Sequence, residues 1–283
     1  MKRFVLILVI VGVVSVVAAA EEPRPVSVAV AAELGFVDIP YHRIKIGEST
    51  DTFDYVGEGG QELLFPYSRF WADITLGTAQ RHHLRLLYQP LTFETVTQFE
   101  ETRVIDTETF EAGQVVDVYY GFDFWRGTYR YRFIDTPSWE LDGGLSMQIR
   151  NASIRFIAQN TDEAVITQDN GPVPILSMRV RRTFAGAPWV ELDADGFYAS
   201  NSFFNGADYP FTGFIWDAAL SVGAPLRDRT EAFVTARAIG GGARGTSQDD
   251  RDTWTQSLAG GSERYNDNVI STVAIALGLR LEL

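Results

Sequence analysis

Cysteine is absent from the chain. That excludes disulfide staples and thiolate metal sites and leaves stability to packing and pairing alone. Histidine is scarce: His42, His82 and His83 are the only three, so the commonest general base at neutral pH has few places to act. Basic residues are outnumbered, with 24 Lys and Arg against 37 Asp and Glu and a formal net charge of −13. A surface of that sign repels phosphate backbones, and no nucleic-acid partner is expected. Beyond Val17 no run of 18 apolar residues occurs, so no further membrane-spanning helix is expected.

The one long apolar run stands at the start. Lys2 and Arg3 precede Phe4 to Val17, and Ala18, Ala19 and Ala20 follow. Charge, apolar core and small residues in that order mark an export signal. The run is short for a bilayer-spanning helix, which needs roughly 20 residues. Residues 1–20 are therefore expected to be a signal peptide cleaved near Ala20, and residues 21–283 a single domain. No Cys follows the run, which excludes lipid attachment at an N-terminal Cys.

The mature part carries a two-residue rhythm. At the end of the chain Val273, Ile275, Leu277, Leu279, Leu281 and Leu283 alternate with Ala274, Ala276, Gly278, Arg280 and Glu282. One apolar and one polar or small face is the pattern of a half-buried β-strand. Similar alternation predicts strands at Val26 to Val37, Ser68 to Ala79, His82 to Phe93, Val115 to Ile134 and Trp139 to Ala158. Four more follow at Val173 to Thr183, Pro188 to Tyr198, Thr212 to Ala224 and Arg229 to Ile239. In two of these the apolar parity changes, near Arg126-Gly127 and near Asn151, which reads as a bulge or an unnoticed hairpin.

The connections alternate long and short. Short turns are expected at Gln80-Arg81, Asp135 to Ser138, Phe184 to Ala187 and Pro225 to Asp228, with long polar gaps between them, among them Gln159 to Pro172 and the glycine-rich Gly240 to Asn266. Regular sorting of this kind, with a flush C-terminal strand, resembles the outer-membrane β-barrels of Gram-negative bacteria. That family usually ends on an aromatic residue; this chain ends on Leu283. The resemblance implies an all-β fold: a closed, antiparallel, up-and-down transmembrane barrel of roughly ten strands (about 8–12), with long loops on one side and short turns on the other. It also implies export to the outer membrane, insertion by the barrel-assembly machinery, and contact with outer-membrane lipid and lipopolysaccharide. Trp71, Trp139, Trp189 and Trp216 lie near strand ends, suited to an interfacial girdle or to core packing.

Charges stand opposite the apolar faces, and a barrel must turn them inward, because a mid-bilayer Arg facing lipid costs about 2–4 kcal/mol. A shared parity places Arg181 opposite Glu191 and Arg179 opposite Asp193, with Asp195 continuing the row. Arg132 is expected to face Glu140, Arg130 to face Asp142, and Asp217 to pair with Arg237. Opposite charges facing across antiparallel strands stabilise the pairing. Such pairs either fill the lumen or form a selective constriction. Barrels of about eight strands are filled by side chains, and open channels appear at about sixteen, so a narrow or plugged lumen is expected.

Motifs for chemistry are thin. Asp193-Ala194-Asp195-Gly196 starts like a calcium loop but lacks the acid that closes one. Omptin proteases resemble the chain in size and strand count, yet their Asp-x-His motif is missing. The His-Asp-Ser pattern of outer-membrane phospholipase and the His-x-Ser of lipid A deacylase are missing too. His42 falls in the first long loop, and His82 and His83 at a short turn. No cofactor or metal is expected. Loop acids Glu48, Asp51, Asp54, Glu58, Glu62, Asp249, Asp250, Asp252 and Glu263, and aromatics Phe203, Phe204 and Tyr209, suit a solvated exterior, divalent bridging to lipopolysaccharide or a loop-bound partner. The expected function is a non-enzymatic envelope barrel, structural or loop-binding, or a narrow solute pore. The alternative is an outer-membrane enzyme acting on lipid or peptide at the loop rim.

Overall fold

A computed structural model describes residues 25–62, 64–200, 211–247 and 264–283. The expected signal peptide lies outside them, as do Phe203, Phe204, Tyr209, Asp249, Asp250, Asp252 and Glu263. The strands are β1 (Val26–Ile46), β2 (Phe53–Asp54), β3 (Leu64–Leu76), β4 (His82–Gln89), β5 (Thr92–Gln98), β6 (Arg103–Ile105) and β7 (Glu108–Phe110). The second half adds β8 (Val115–Asp135), β9 (Trp139–Ala158), β10 (Ala164–Thr183), β11 (Trp189–Ser200), β12 (Phe211–Arg227), β13 (Thr230–Ser247) and β14 (Arg264–Glu282).

The sheet closes on itself. Its order is β14-β13-β12-β11-β10-β9-β8-β4-β3-β1, and β14 pairs β1, giving ten antiparallel staves. β4 and β5 are two halves of one stave, both laddered to β8 and interrupted at Pro90-Leu91. The last strand is the seam: Leu34 meets Leu277 and Phe36 meets Ile275 across β1 and β14. Closure leaves no sheet edge at that seam for another chain to pair with.

The outward faces carry an apolar belt. Leu277 is 70% exposed, Ile275 65% and Leu145 63%, and Leu86, Ile149, Leu176, Leu220 and Val234 are likewise exposed. A belt of this kind leaves large side chains in contact with whatever surrounds the barrel, which is unfavourable in water. At the turn end Trp139 faces outward, whereas Trp189 and Trp71 point into the lumen, their rings 5.8 and 6.1 Å from Phe233. Trp216 lies on the outer side and covers Gly240, where a Cβ would stand 2.4 Å from the indole ring.

The staves are longer than their alternation predicts. β1 continues to Ile46, which moves His42 from a loop into a strand. β10 begins at Ala164, so the gap expected over Gln159 to Pro172 shrinks to residues 159–163. Gly240 to Gly245 is strand β13 and not part of a loop. A strand of 21 residues such as β1 or β8 spans roughly 70 Å at about 3.3 Å per residue. The lipid-facing band of such barrels is only about 25 Å tall. Above the belt the outside is polar, so the rhythm that reveals a strand fades.

The expected parity shifts are absent for the same reason. In β8 the even positions face inward throughout, from Val116, Val118, Tyr120 and Phe124 to Arg126, Thr128 and Arg130. The ladder to β9 passes Arg126↔Gln148 and Gly127↔Met147 without a break, and it runs smoothly through Asn151. The direction of the side chains does not change; the chemistry of the interior does. It is apolar towards the loop end and charged towards the turn end. A bulge does occur, but between Arg132 and Ile134. With the turn closing tightly at Thr136 and Trp139, it shifts the register by two residues from the expected one. Arg132 stands opposite Asp142, and Arg130 opposite Gly144.

At the loop end the barrel is closed by its own connections. Phe53 and Tyr55 from the β1–β3 connection, and Phe99, Ile105 and Phe110 from the β5–β8 connection, join Ile39, Phe65, Phe93, Tyr120 and Phe156 in one buried cluster. Arg103 bonds Glu58 at 3.0 Å, and the Asp106 amide donates to the Ile46 carbonyl at 2.9 Å, tying the two connections together.

Candidate functional site

The lumen below that cap is packed with ion pairs. At its deepest level Asp217 receives three guanidinium groups: Arg237 at 2.6 Å, Arg126 at 2.9 Å and Arg69 at 3.3 Å. The Asp217 side chain is 1% exposed and that of Arg126 2%. Gln148 accepts from Arg126 Nε and Nη2 at 3.0 and 2.8 Å, and Gln89 accepts from Arg69. Glu33 takes Thr235 Oγ1 at 3.0 Å and lies 3.7 Å from Arg237. Charges so far from water are tolerable only because each has several partners.

Directly opposite Asp217 in the β11–β12 ladder, Asp195 meets Arg126 at 2.6 Å and Arg130 at 3.3 Å. Asp193 meets Arg130 at 2.8 Å and Arg85 at 3.9 Å. The next layer holds Arg179, 2.6 Å from Asp142, 2.8 Å from Glu191 and 3.0 Å from Glu140. Arg132 bonds Glu140 at 2.7 Å and Asp142 at 2.9 Å. Arg181 bonds Glu231 at 2.5 Å, lies 3.8 Å from Glu191, and stacks over Trp189 at 4.2 Å.

All eleven charges singled out in sequence are therefore on the lumen side, but their partners differ in part. Arg179 is opposite Asp193 in the ladder yet bonds its diagonal neighbour Glu191. Arg130 pairs with Asp193 and Asp195 from across the lumen and not with Asp142. Arg237 reaches Asp217 diagonally, since the ladder sets it opposite Ala219. Asp193 and Asp195 are both engaged by arginine, so neither is offered to a metal; among the described residues no cluster of His, Asp and Glu fits one. Sequence reasoning left out Glu33, Arg69, Asp73, Arg85, Arg126 and Glu231. The signal was there for one pair, because Asp73 and Arg85 share inward parity on adjacent strands and bond at 2.7 Å.

Little space remains inside this network. The voids beside Arg69 and Arg237 measure about 20 Å³ and about 10 Å³, room for about one water each. Towards the turns the lumen widens into a vestibule of about 380 Å³, bounded by Gln80, His83, Thr128, Arg132, Arg227, Arg229 and their neighbours. It is a blind pocket, closed above by the Arg126–Asp217 layer.

The histidines are dispersed. His42 lies in the apolar cap, stacked on Tyr55 at 3.7 Å, with Nδ1 bonded to Gln61 at 2.8 Å. Burial pushes its imidazole down from the ordinary histidine range to about 4. His82 shares a hydrogen bond with Tyr129 at 2.8 Å, and His83 with Thr75 at 3.1 Å.

No family model matches the chain, and no curated protein matches it. Solved structures do. The outer membrane protease OmpT from Escherichia coli aligns with 9% identity and a TM-score of 0.45, over 93% of this chain and 99% of that one. A Pseudomonas aeruginosa FadL homologue aligns with 8% identity and a TM-score of 0.35, over 91% and 89%. The P. putida toluene transporter TodX aligns with 9% identity and a TM-score of 0.34, over 91% and 90%.

Proposed function

We propose that this chain is a sealed outer-membrane barrel: a non-conducting, non-enzymatic envelope protein that anchors and displays its acidic loop cap. The observation that carries the reading is the closed layer at Asp217, where three arginines converge on one carboxylate with almost no room for water. An ion crossing the lumen would have to break several buried pairs at once. The apolar belt supports a bilayer as the surroundings, since ten staves in water would leave Leu277, Ile275 and Leu145 exposed for no gain. Short turns and the Val26 and Glu282 ends share one side, which is assigned to the periplasm, and the capped loops are assigned to the cell surface. The dispersed histidines support a non-enzymatic role, because among the described residues none is hydrogen-bonded to a carboxylate that would orient it as a base: His42 bonds Gln61, His82 bonds Tyr129 and His83 bonds Thr75.

Orientation and location are tested by labelling. An epitope inserted at Gly113, in the β7–β8 connection, is expected to be reached on intact cells. One at Gly186, in the β10–β11 turn, is expected to be reached only after permeabilisation. Labelling of Gly186 alone on intact cells, or recovery of the protein without detergent in the soluble periplasm, would remove the proposal.

A further inference from the structure

The vestibule at the turn end carries charge of the wrong sign for this protein. The whole chain has a formal net charge of −13, yet the vestibule is lined by eight arginines and five carboxylates. Most of these arginines bond the carboxylates of the lumen. Arg227 and Arg229, at the β12–β13 turn, have no ion pair among the described residues, and Arg280 reaches Asp73 and Glu231 only at 3.8 and 4.0 Å. Three cations therefore face the same open space, which Glu231 and Glu282 also line.

Two further observations concern that space. Arg229 and Gln80, both on its rim, hold left-handed backbone conformations, with φ of 64° and 48°. Such positions favour Gly or Asn, so the backbone at Arg229 accepts glycine without loss. His83, also in the lining, has Nε2 buried without a hydrogen-bond partner. With Nδ1 engaged by Thr75, this nitrogen is free to donate to a bound oxygen.

We propose that the vestibule is a binding site for a multivalent phosphate-bearing anion, held by Arg227, Arg229 and Arg280 at the mouth with His83 Nε2 donating from within. Guanidinium forks match phosphate oxygens in geometry and charge. The volume of about 380 Å³ lies in the range of small-ligand pockets, and the closed layer above makes the site a terminus and not a passage. The phosphate belongs to a soluble anion that enters the vestibule; a lipid headgroup at the barrel rim would use the mouth arginines without the interior, and the test separates the two.

The test uses the full chain refolded in zwitterionic detergent at low salt, titrated calorimetrically with inorganic pyrophosphate. Saturable binding is expected, weakened by about tenfold or more when Arg227→Gln and Arg229→Gly are combined. Arg229→Gly relieves the left-handed strain, so an unchanged or higher urea midpoint shows that the fold survives. Ala29→Phe, which fills the vestibule without touching a charge, is expected to abolish binding. No saturable binding by the wild type, or equal binding by the double variant, overturns the site. Preference for phosphatidylglycerol over phosphatidylcholine bilayers without any response to pyrophosphate would assign the arginines to the lipid surface and overturn it equally.

Discussion

Arg181 stands directly opposite Glu191 in the β10–β11 ladder, yet its guanidinium bonds Glu231 on β13 at 2.5 Å and stays 3.8 Å from Glu191. Inward side chains converge, so a long arginine reaches the third strand along as easily as its ladder neighbour. Double-mutant cycles on the urea midpoint should show stronger coupling of Arg181 to Glu231 than to Glu191. Because both side chains border the vestibule, Arg181→Ala should cost about 1–2 kcal/mol. Asp217→Ala leaves three buried arginines short of their shared carboxylate and should cost about 3–5 kcal/mol. Equal, near-zero effects at both positions would mean a water-filled lumen.

The apolar cap should respond to acid through His42. Its imidazole is held neutral by burial, with its folded value near 4 against 6.5 for the free group. The unfolded chain therefore binds the extra proton first, and stability is lost as pH falls from about 6.5 towards 4. The lost contribution is roughly 3 kcal/mol, constant above that window and complete below it. His42→Phe keeps a ring against Tyr55 and removes the proton site. The difference between the two urea-midpoint profiles should be flat at neutral pH and open in this window. Parallel profiles down to pH 4 would place His42 in water.

Close approach of neighbouring staves gives a paired glycine test. A Cβ at Gly144 would lie 1.9 Å from the Tyr129 carbonyl oxygen, whereas nothing lies within 4 Å of a Cβ at Gly127. Gly144→Ala must move backbone and should cost about 1–3 kcal/mol. Gly127→Ala should be neutral or slightly stabilising. The unboiled band on a gel, read against urea, reports both. A neutral Gly144→Ala would contradict the β8–β9 packing.

How much of this was legible in sequence follows from where the membrane belt lies. The Val273 to Leu283 alternation and the short turns report strands whose outer face meets the belt, and those staves and their order are readable. Arg126 was hidden because the apolar residues cross from the inner to the outer face along β8 while the strand itself runs straight. His42 was misplaced because β1 changes parity at a bulge between Asp38 and Tyr41, so the alternation of Ile44 and Ile46 with Arg43 and Lys45 is out of step with the Val26 to Val37 rhythm. The charged residues were legible as lumen-facing by parity alone. Their partners were legible only in part: Arg132 bonds Glu140 and Arg237 bonds Asp217 as expected, whereas Arg130 and Asp193 join staves that are not neighbours.

The most direct measurement of the sealed lumen is single-channel recording of the purified, refolded chain in planar bilayers. The wild type should insert without conductance steps, and Arg126→Ala combined with Asp217→Ala, which empties the deepest layer, should open a measurable leak. Stable, reproducible conductance from the wild type, unchanged in the double variant, would contradict the account.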